Sequence, residues 1–456
     1  MPRFSIIVPV YNGEAFLRES LDSLVSQSFQ DFEVICVNDC STDSTELIMQ
    51  EYESCDPRFR HINNKQNMSL FASRHLGVQI TTGDYILFLD ADDAFTPNAL
   101  ESVDKHLKNK PVDILQFEMK VVIDSNSGLD YDENAWYAHK YNDVLLEGDE
   151  IIRTICYERA DDMCMHHRAF RGDIARRVLP ELGFKPGLIV AEDITELFAL
   201  MIAASTYETI SNSCWYIYNL GRGQNGHVDT LTCREFIEES TRKRNCYDAL
   251  IEYLDRTNAH TPLIDQAVAS RWRYACAQSM TPWHTRVLME EKATALQEYV
   301  RLWPKPWVLP FVYEKIAYDA SLLLSSGFSD DSKPIVRRME SVIQAVLPLT
   351  LDHEACNSAL VDEAQSIPKS NTNLLEAFIT MLDYSSNGQE RIDTLLHYIH
   401  LYCLIEARQL CRISDLENEI LWLQADFDEI QNSRRYKIGK IVSKPYDSIR
   451  KHLHRV

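Results

Sequence analysis

The chain has 456 residues, 45% hydrophobic and 25% charged, the proportions of a globular protein with room for more than one core and too apolar to be mainly disordered. Its 46 Lys and Arg against 68 Asp and Glu give a formal charge of -22, which excludes a general nucleic-acid binder, since a phosphate backbone is held by basic surface. The imbalance is uneven: from Arg434 to Val456 eight Lys or Arg face the single acid Asp447.

Phe4–Val10, Phe32–Val37 and Tyr85–Leu89 are short apolar runs, rich in β-branched residues and ending in polar clusters, and read as buried strands. The opening basic residue and apolar run resemble a secretory leader, but Pro9 interrupts the run and no small-residue cleavage site follows, so a strand is expected. No window has the ~18 uninterrupted apolar residues of a spanning helix. The expectation is a cytoplasmic chain, with contact at a membrane's inner face as an option. Twelve cysteines without a CxxC pair read as reduced thiols, mostly buried.

Between the strands, 14–27 sets Phe16, Leu17, Leu21, Leu24 and Val25 on one helical stripe, and 43–52 begins behind Ser41 and Thr42, a capping signature. Strands alternating with helices predict a mainly parallel sheet covered on both faces. Ligands of such sheets sit beyond the carboxyl ends of the strands, so Tyr11-Asn12, Asn38-Asp39 and Asp90–Asp93 should face one crevice. A polar loop is expected over 124–142, an apolar helix behind Glu192-Asp193 within 187–206, and a strand over 214–218.

This first domain is placed at 1–230. An amphipathic helical region follows over 231–410, broken by prolines at Trp303–Trp307, where Trp303 and Trp307 read as a packed corner between helices or an interface anchor. In 411–456, Ile413, Leu416, Ile420, Leu423, Phe427 and Ile430 form a heptad seam too short to stand alone. It would pair with a second copy, making a homo-oligomer, or with its own helical region. The basic tail beyond it suits anionic lipid headgroups, at roughly 1 kcal/mol per basic residue, or a solvated charge run.

Asp90-Ala91-Asp92-Asp93 is the most informative cluster. Carboxylates this close repel unless a cation joins them, and hard Mg²⁺ or Mn²⁺ takes oxygen ligands while leaving positions for water and phosphate; a solvated turn is the plain alternative. No Gly-rich phosphate loop is present, so a diphosphate entering this acidic crevice would need a metal to invert the local sign.

Val8–Asn12, Val37–Asp43, Thr82–Asp93 and Glu192-Asp193, in this order and spacing, resemble the family 2 glycosyltransferases with the GT-A fold, over roughly residues 4 to 225. The resemblance implies an α/β GT-A nucleotide-sugar-binding domain, here followed by an all-helical C-terminal region and a short heptad helix. It implies transfer of a sugar from a nucleoside-diphosphate donor, taken to be a UDP-sugar, to a hydroxyl of a glycan or lipid-linked acceptor, with inversion, as in bacterial polysaccharide synthesis. By the same resemblance Pro9, Tyr11 and Asp39 hold the base and ribose, Asp90 and Ala91 meet the donor, Asp92 binds Mg²⁺ or Mn²⁺, and Asp193 is the general base. Arg74 is counted with the donor-binding residues and could pair with the acidic crevice. Asp93 and Glu192 extend the acidic set, and Arg222 and His227, on a Gly-rich segment, are candidates to close over the diphosphate or belong to an ordinary interdomain loop.

The sequence departs from the family pattern at Cys40, where a left-handed turn favours glycine, and at Ser69, Phe71 and His75, close to the expected donor. His166-His167-Arg168 reads as surface, and adjacent histidines suit a metal poorly. The competing reading is a catalytically inactive nucleotide-sugar-binding scaffold that recruits partners through its helical half.

Overall fold

A computed structural model describes residues 1–125, 127, 142–158, 162–183, 191–222, 230–326 and 333–346. From the N-terminus β1 (Phe4–Val10), α1 (Leu17–Val25), β2 (Phe32–Asn38), α2 (Thr45–Cys55), β3 (Phe59–Asn63), α3 (Leu70–Gln79) and β4 (Tyr85–Phe88) alternate. β5 (Ala94–Phe95), α4 (Ala99–Asn109), β6 (Ile114–Phe117), β7 (Met119–Ile123), β8 (Val144–Glu147) and α5 (Asp149–Ile151) follow, the last running into a π-helical segment, Ile152–Tyr157. β9 (Arg168–Arg171), α6 (Gly172–Val178), α7 (Glu192–Ala203), β10 (Thr206–Ile210) and β11 (Tyr216–Leu220) complete the α/β part.

The large sheet has the order β3-β2-β1-β4-β9-β6-β10-β8. β1 is parallel to both β2 and β4, and β10 to β6, while β9 and the edge strand β8 run antiparallel to their neighbours. The sheet is therefore mainly parallel, as expected. A small sheet of order β5-β11-β7 sets β11 beside the end of β4.

Alternation along β1 and β4 divides two cores, because successive side chains leave a strand on opposite faces. Phe4, Ile6, Val8, Tyr85 and Leu87 pack beneath α1 and α4. Ile7, Ile86 and Phe88 face α3, which comes close because Gly77 has no side chain: a Cβ there would lie 2.6 Å from Ile7 Cγ2.

β3 and α3 were not expected from the sequence. β3 is a half-buried strand at the sheet's edge carrying Arg60 and His61, and α3 is buried on several sides from Phe71 to Val78, so neither shows a clean amphipathic period. The expected stripe of α1 holds at Leu17, Leu21 and Leu24, while Val25 is 41% exposed. The start of α2 is organised by Asp43 rather than by Ser41 and Thr42: Asp43 Oδ1 accepts from Thr45 N–H at 3.0 Å, and Ser41 and Thr42 bond to Asn12 instead.

The helical half comprises α8 (Cys233–Thr257), α9 (Pro262–Arg286), α10 (Lys292–Leu302), α11 (Lys305–Ser326) and α12 (Lys333–Val346). α8 opens with a reciprocal capping box between Thr232 and Glu235, which satisfies two otherwise orphaned amides. One core runs without interruption from the sheet through α7 into these helices, taking in Leu250, Trp272 and Trp283. Trp303 is buried and stacks on Trp272 at 6.0 Å with Trp307 beside it, the packed corner of the two readings. Among the described residues no helix is long and apolar enough to cross a membrane. Most of the expected 124–142 loop, His227, the heptad seam and the basic tail lie outside the described residues.

Candidate active site

The carboxyl ends of β1 and β2 are tied together before any ligand is considered. Asn12 N–H donates to Ser41 Oγ at 2.9 Å and its Oδ1 accepts from Thr42 N–H at 2.8 Å, while Glu14 Oε2 accepts from Ser44 N–H at 2.9 Å. This mesh leaves Tyr11 at the rim, 47% exposed. Pro9 is buried within β1, in register with Val37.

Asp39 is almost wholly buried. Its carboxylate accepts from Asn64 Nδ2 at 2.7 Å and from the backbone amides of Met68 and Ser69, each at 2.8 Å. Three of its roughly four acceptor positions thus anchor the entry to α3. Ser69, Phe71 and His75 are buried as well, and Phe71 lies in the core under the sheet.

At the end of β4 the three acids separate into different environments. Asp93 is buried, with Oδ2 accepting from Tyr216 O–H and Oδ1 from Asn219 N–H, both at 2.7 Å. Burial, then the charges of Asp90 and Asp92, pushes its carboxyl up to about 8. Asp93 is therefore a clamp joining β11 to the β4 turn, not a group offered to the crevice. Asp92 is half-buried and pushed up to about 6 by burial and by Asp90, with Arg222 acting the other way. Asp90 Oδ1 is buried without a hydrogen bond among the described residues, with Arg74 Nη2 3.7 Å away. Two crowded carboxylates, one reluctant to ionise and one with an oxygen left over, are an all-oxygen donor set that fits a hard divalent cation.

Arg74 is 1% exposed. Its Nη1 donates to Asp193 Oδ1 and, at 2.8 Å, to Glu196 Oε2. Burial alone would lower the guanidinium's pKa, but Asp193, Glu196, Asp90 and Glu192 together raise it. Arg74 thus pairs with the acidic crevice: Asp193 and Glu196 of α7 take its Nη1, and Asp90 lies 3.7 Å from its Nη2.

Asp193 opens α7, yet its carboxylate does not cap that helix. Oδ1 takes Arg74 and Oδ2 accepts from Met165 N–H at 3.1 Å, leaving the group about a quarter exposed. Glu192 is buried and held well above the usual carboxylate range, by burial first and by Asp193 second. α7 is braced by the helical half, Thr195 Oγ1 donating to Cys246 O of α8 at 2.9 Å. Arg222 lies across the crevice mouth, bonded to Glu19 at 2.7 Å and over the Phe16 ring.

Several residues of the site escaped the sequence reading. His166 and His167 are buried rather than on the surface, because the turn before β9 folds inward and His166 stacks on Tyr216 and Tyr218. Asp90 Oδ2 lies 3.8 Å from His166 Nδ1. Glu196 and Asn219 carry no motif and are found only through their partners; Glu196 does fall on the same face of α7 as Asp193, three residues on, a spacing that could have signalled it.

Residues 5–175 match the family model described as glycosyl transferase family 2. Glycosyltransferase GlyA of Streptococcus pneumoniae is 30% identical over 145 residues, 32% of this chain and 20% of GlyA. The minor teichoic acid biosynthesis protein GgaB of Bacillus subtilis is 32% identical over 159 residues, 34% of this chain and 17% of GgaB. The chain thus spans a fifth or less of the length of these relatives. Among solved structures, S. aureus TarS 1-349 superposes with a TM-score of 0.51 over 75% of this chain and 90% of that one, at 19% identity, a likeness of fold.

Proposed function

We propose, from the match of residues 5–175 to the glycosyl transferase family 2 model, that the chain is a metal-dependent, inverting glycosyltransferase. It moves a sugar from a nucleoside diphosphate, a UDP-sugar in this reading, to a hydroxyl of a glycan or lipid-linked saccharide. One observation supports this above the rest: buried Arg74 pairs with Asp193 and lies 3.7 Å from Asp90, so the acid opening α7 and the acids closing β4 share one crevice. The TarS fragment of similar fold was crystallised with UDP-GlcNAc.

In this mechanism Asp193, held in place by Arg74 and the Met165 amide, accepts the proton of the acceptor hydroxyl as its oxygen attacks the anomeric carbon. The bond from that carbon to the diphosphate oxygen breaks on the opposite side, which inverts the configuration. Asp92, with Asp90 beside it, would hold Mg²⁺ or Mn²⁺, which neutralises the departing diphosphate. Pro9, Tyr11 and Asp39 hold the base and ribose, and Ala91 meets the donor between the acids. Arg222 closes the mouth toward the diphosphate. The basic 434–456 tail adds peripheral attraction to anionic membranes, where a lipid-linked acceptor would be presented.

Purified chain is to be incubated with Mn²⁺ and a panel of nucleotide sugars. Hydrolysis or transfer from at least one donor, lost in Asp193→Asn, is expected; turnover of none in the presence of acceptor extracts would overturn the reading. Deleting 434–456 should abolish sedimentation with anionic vesicles at low salt, and unchanged sedimentation would remove the membrane part.

A further inference from the structure

Cys164, His166 and Asp193 offer a sulfur, an imidazole nitrogen and a carboxylate oxygen that all lie within 4.8 Å of one another. The three are held by their surroundings rather than brought together by the rotamers of surface side chains. Met165 N–H, between the first two, donates to Asp193 Oδ2 at 3.1 Å, pinning the Cys-x-His segment against the start of α7. Cys164 N–H donates to Asp162 Oδ1 at 3.0 Å, and Arg168 bonds both Asp162 and the Cys164 carbonyl. The His166 ring is fixed by stacking on Tyr216 at 4.9 Å and on Tyr218 at 5.6 Å. Asp90 beside its Nδ1 is the kind of carboxylate that orients a metal-bound histidine.

We propose that Cys164, His166 and Asp193 form a site for a thiophilic divalent cation, Zn²⁺ by its chemistry, separate from the all-oxygen set of Asp90 and Asp92. Mixed sulfur, nitrogen and oxygen ligands suit Zn²⁺, and three protein ligands leave a fourth tetrahedral position for water. Mg²⁺ and Mn²⁺ favour the harder oxygens. The single positive charge of Arg74 does not bar a dication, because Asp90, Asp193 and Glu196 surround that charge. A cation bound here holds the carboxylate that the proposed mechanism needs as a base, so Zn²⁺ inhibits transfer. That consequence rests on the proposed function; the binding itself does not.

The full chain, stripped of metal by chelator and dialysis, is titrated with Co²⁺ alone as the spectroscopic substitute for Zn²⁺. The expected result is a near-ultraviolet thiolate-to-cobalt charge-transfer band with strong visible bands of tetrahedral Co²⁺, both removed by Zn²⁺ and neither by excess Mg²⁺. Cys164→Ser should abolish the charge-transfer band and weaken Co²⁺ binding by more than the roughly 10–100-fold lost when a supporting residue is removed. His166→Gln should weaken it too, with thermal unfolding of both variants showing that they fold. No charge-transfer band, or one that persists in folded Cys164→Ser, overturns the proposal. With Mn²⁺ present, Zn²⁺ should inhibit wild-type transfer and not the Cys164→Ser enzyme. A chain with no transferase activity but with the cobalt bands would overturn the proposed function and leave this site standing.

Discussion

Arg74 and Asp193, 119 positions apart, are joined by a hydrogen-bonded ion pair beneath the crevice, and the same guanidinium nitrogen also bonds Glu196. The pair links α3 to α7 and fixes the exposed face of Asp193. Glu196, with no exposed side-chain surface, has Arg74 and His75 as its partners.

Removing Arg74 should therefore strand a buried carboxylate. Arg74→Met is expected to destabilise the fold by about 3–5 kcal/mol, the usual result of breaking a buried pair by deleting one partner. Arg74→Lys should recover only part of this, since an ammonium cannot reproduce a fork shared among three acids. Urea unfolding midpoints measure both. If Arg74 instead held the nucleotide, Arg74→Lys would raise the donor KM and leave stability intact.

Asp193→Asn keeps the shape of the group and an acceptor for the Met165 amide, but removes the base. Turnover should fall by roughly 10²–10⁴-fold with donor KM little altered. A comparable loss in KM alone would make Asp193 a binding group. Initial-rate kinetics at saturating acceptor separate the two.

What the sequence made legible follows from how local each signal is. β1, β2 and β4 are continuous apolar runs because both faces of the sheet are covered, and the acids at their ends are contiguous in the chain. α3 was missed for the same reason that it matters: it is buried on several sides around Phe71, Arg74 and Val78, so no polar face marks its period. Asp93 looked like its neighbours in sequence; only the approach of Tyr216 and Asn219 from β11 separates its role from theirs. The inward turn of His166 depends on Tyr216 and Tyr218, about 50 residues away, a pairing that no spacing rule near residue 166 could reveal.

Cys40 was singled out in the sequence as a poor residue for a left-handed turn, and its φ is 62°. A non-glycine residue there carries about 1–2 kcal/mol of steric cost, against about 0.4–1 kcal/mol of unfolded-chain entropy that glycine brings back. Cys40→Gly should raise stability by about 0.5–1 kcal/mol, read from denaturant unfolding. A decrease would mean that the Cys40 side chain contributes packing larger than the strain.

Asp92 supplies a pH test with a definite sign. Its folded pKa, about 6, lies above the 3.8 of an ordinary aspartate, through burial first and Asp90 second. The folded state thus holds a proton that the unfolded chain has released. This contributes stability that is complete below about pH 4 and is lost as pH rises through 6. Asp93, raised in the same direction to about 8, prolongs the decline. Metal-free protein should accordingly melt at lower temperature at pH 8 than at pH 6. Mn²⁺ needs the ionised carboxylate, so its stabilising effect should be small below pH 6 and grow above it. Asp92→Asn should raise the melting temperature of the metal-free protein at pH 8 and remove most of the response to Mn²⁺. Thermal melts across this range, with Mn²⁺ or with chelator, measure all three. A Mn²⁺ response that survives Asp92→Asn undiminished would move the cation away from the end of β4.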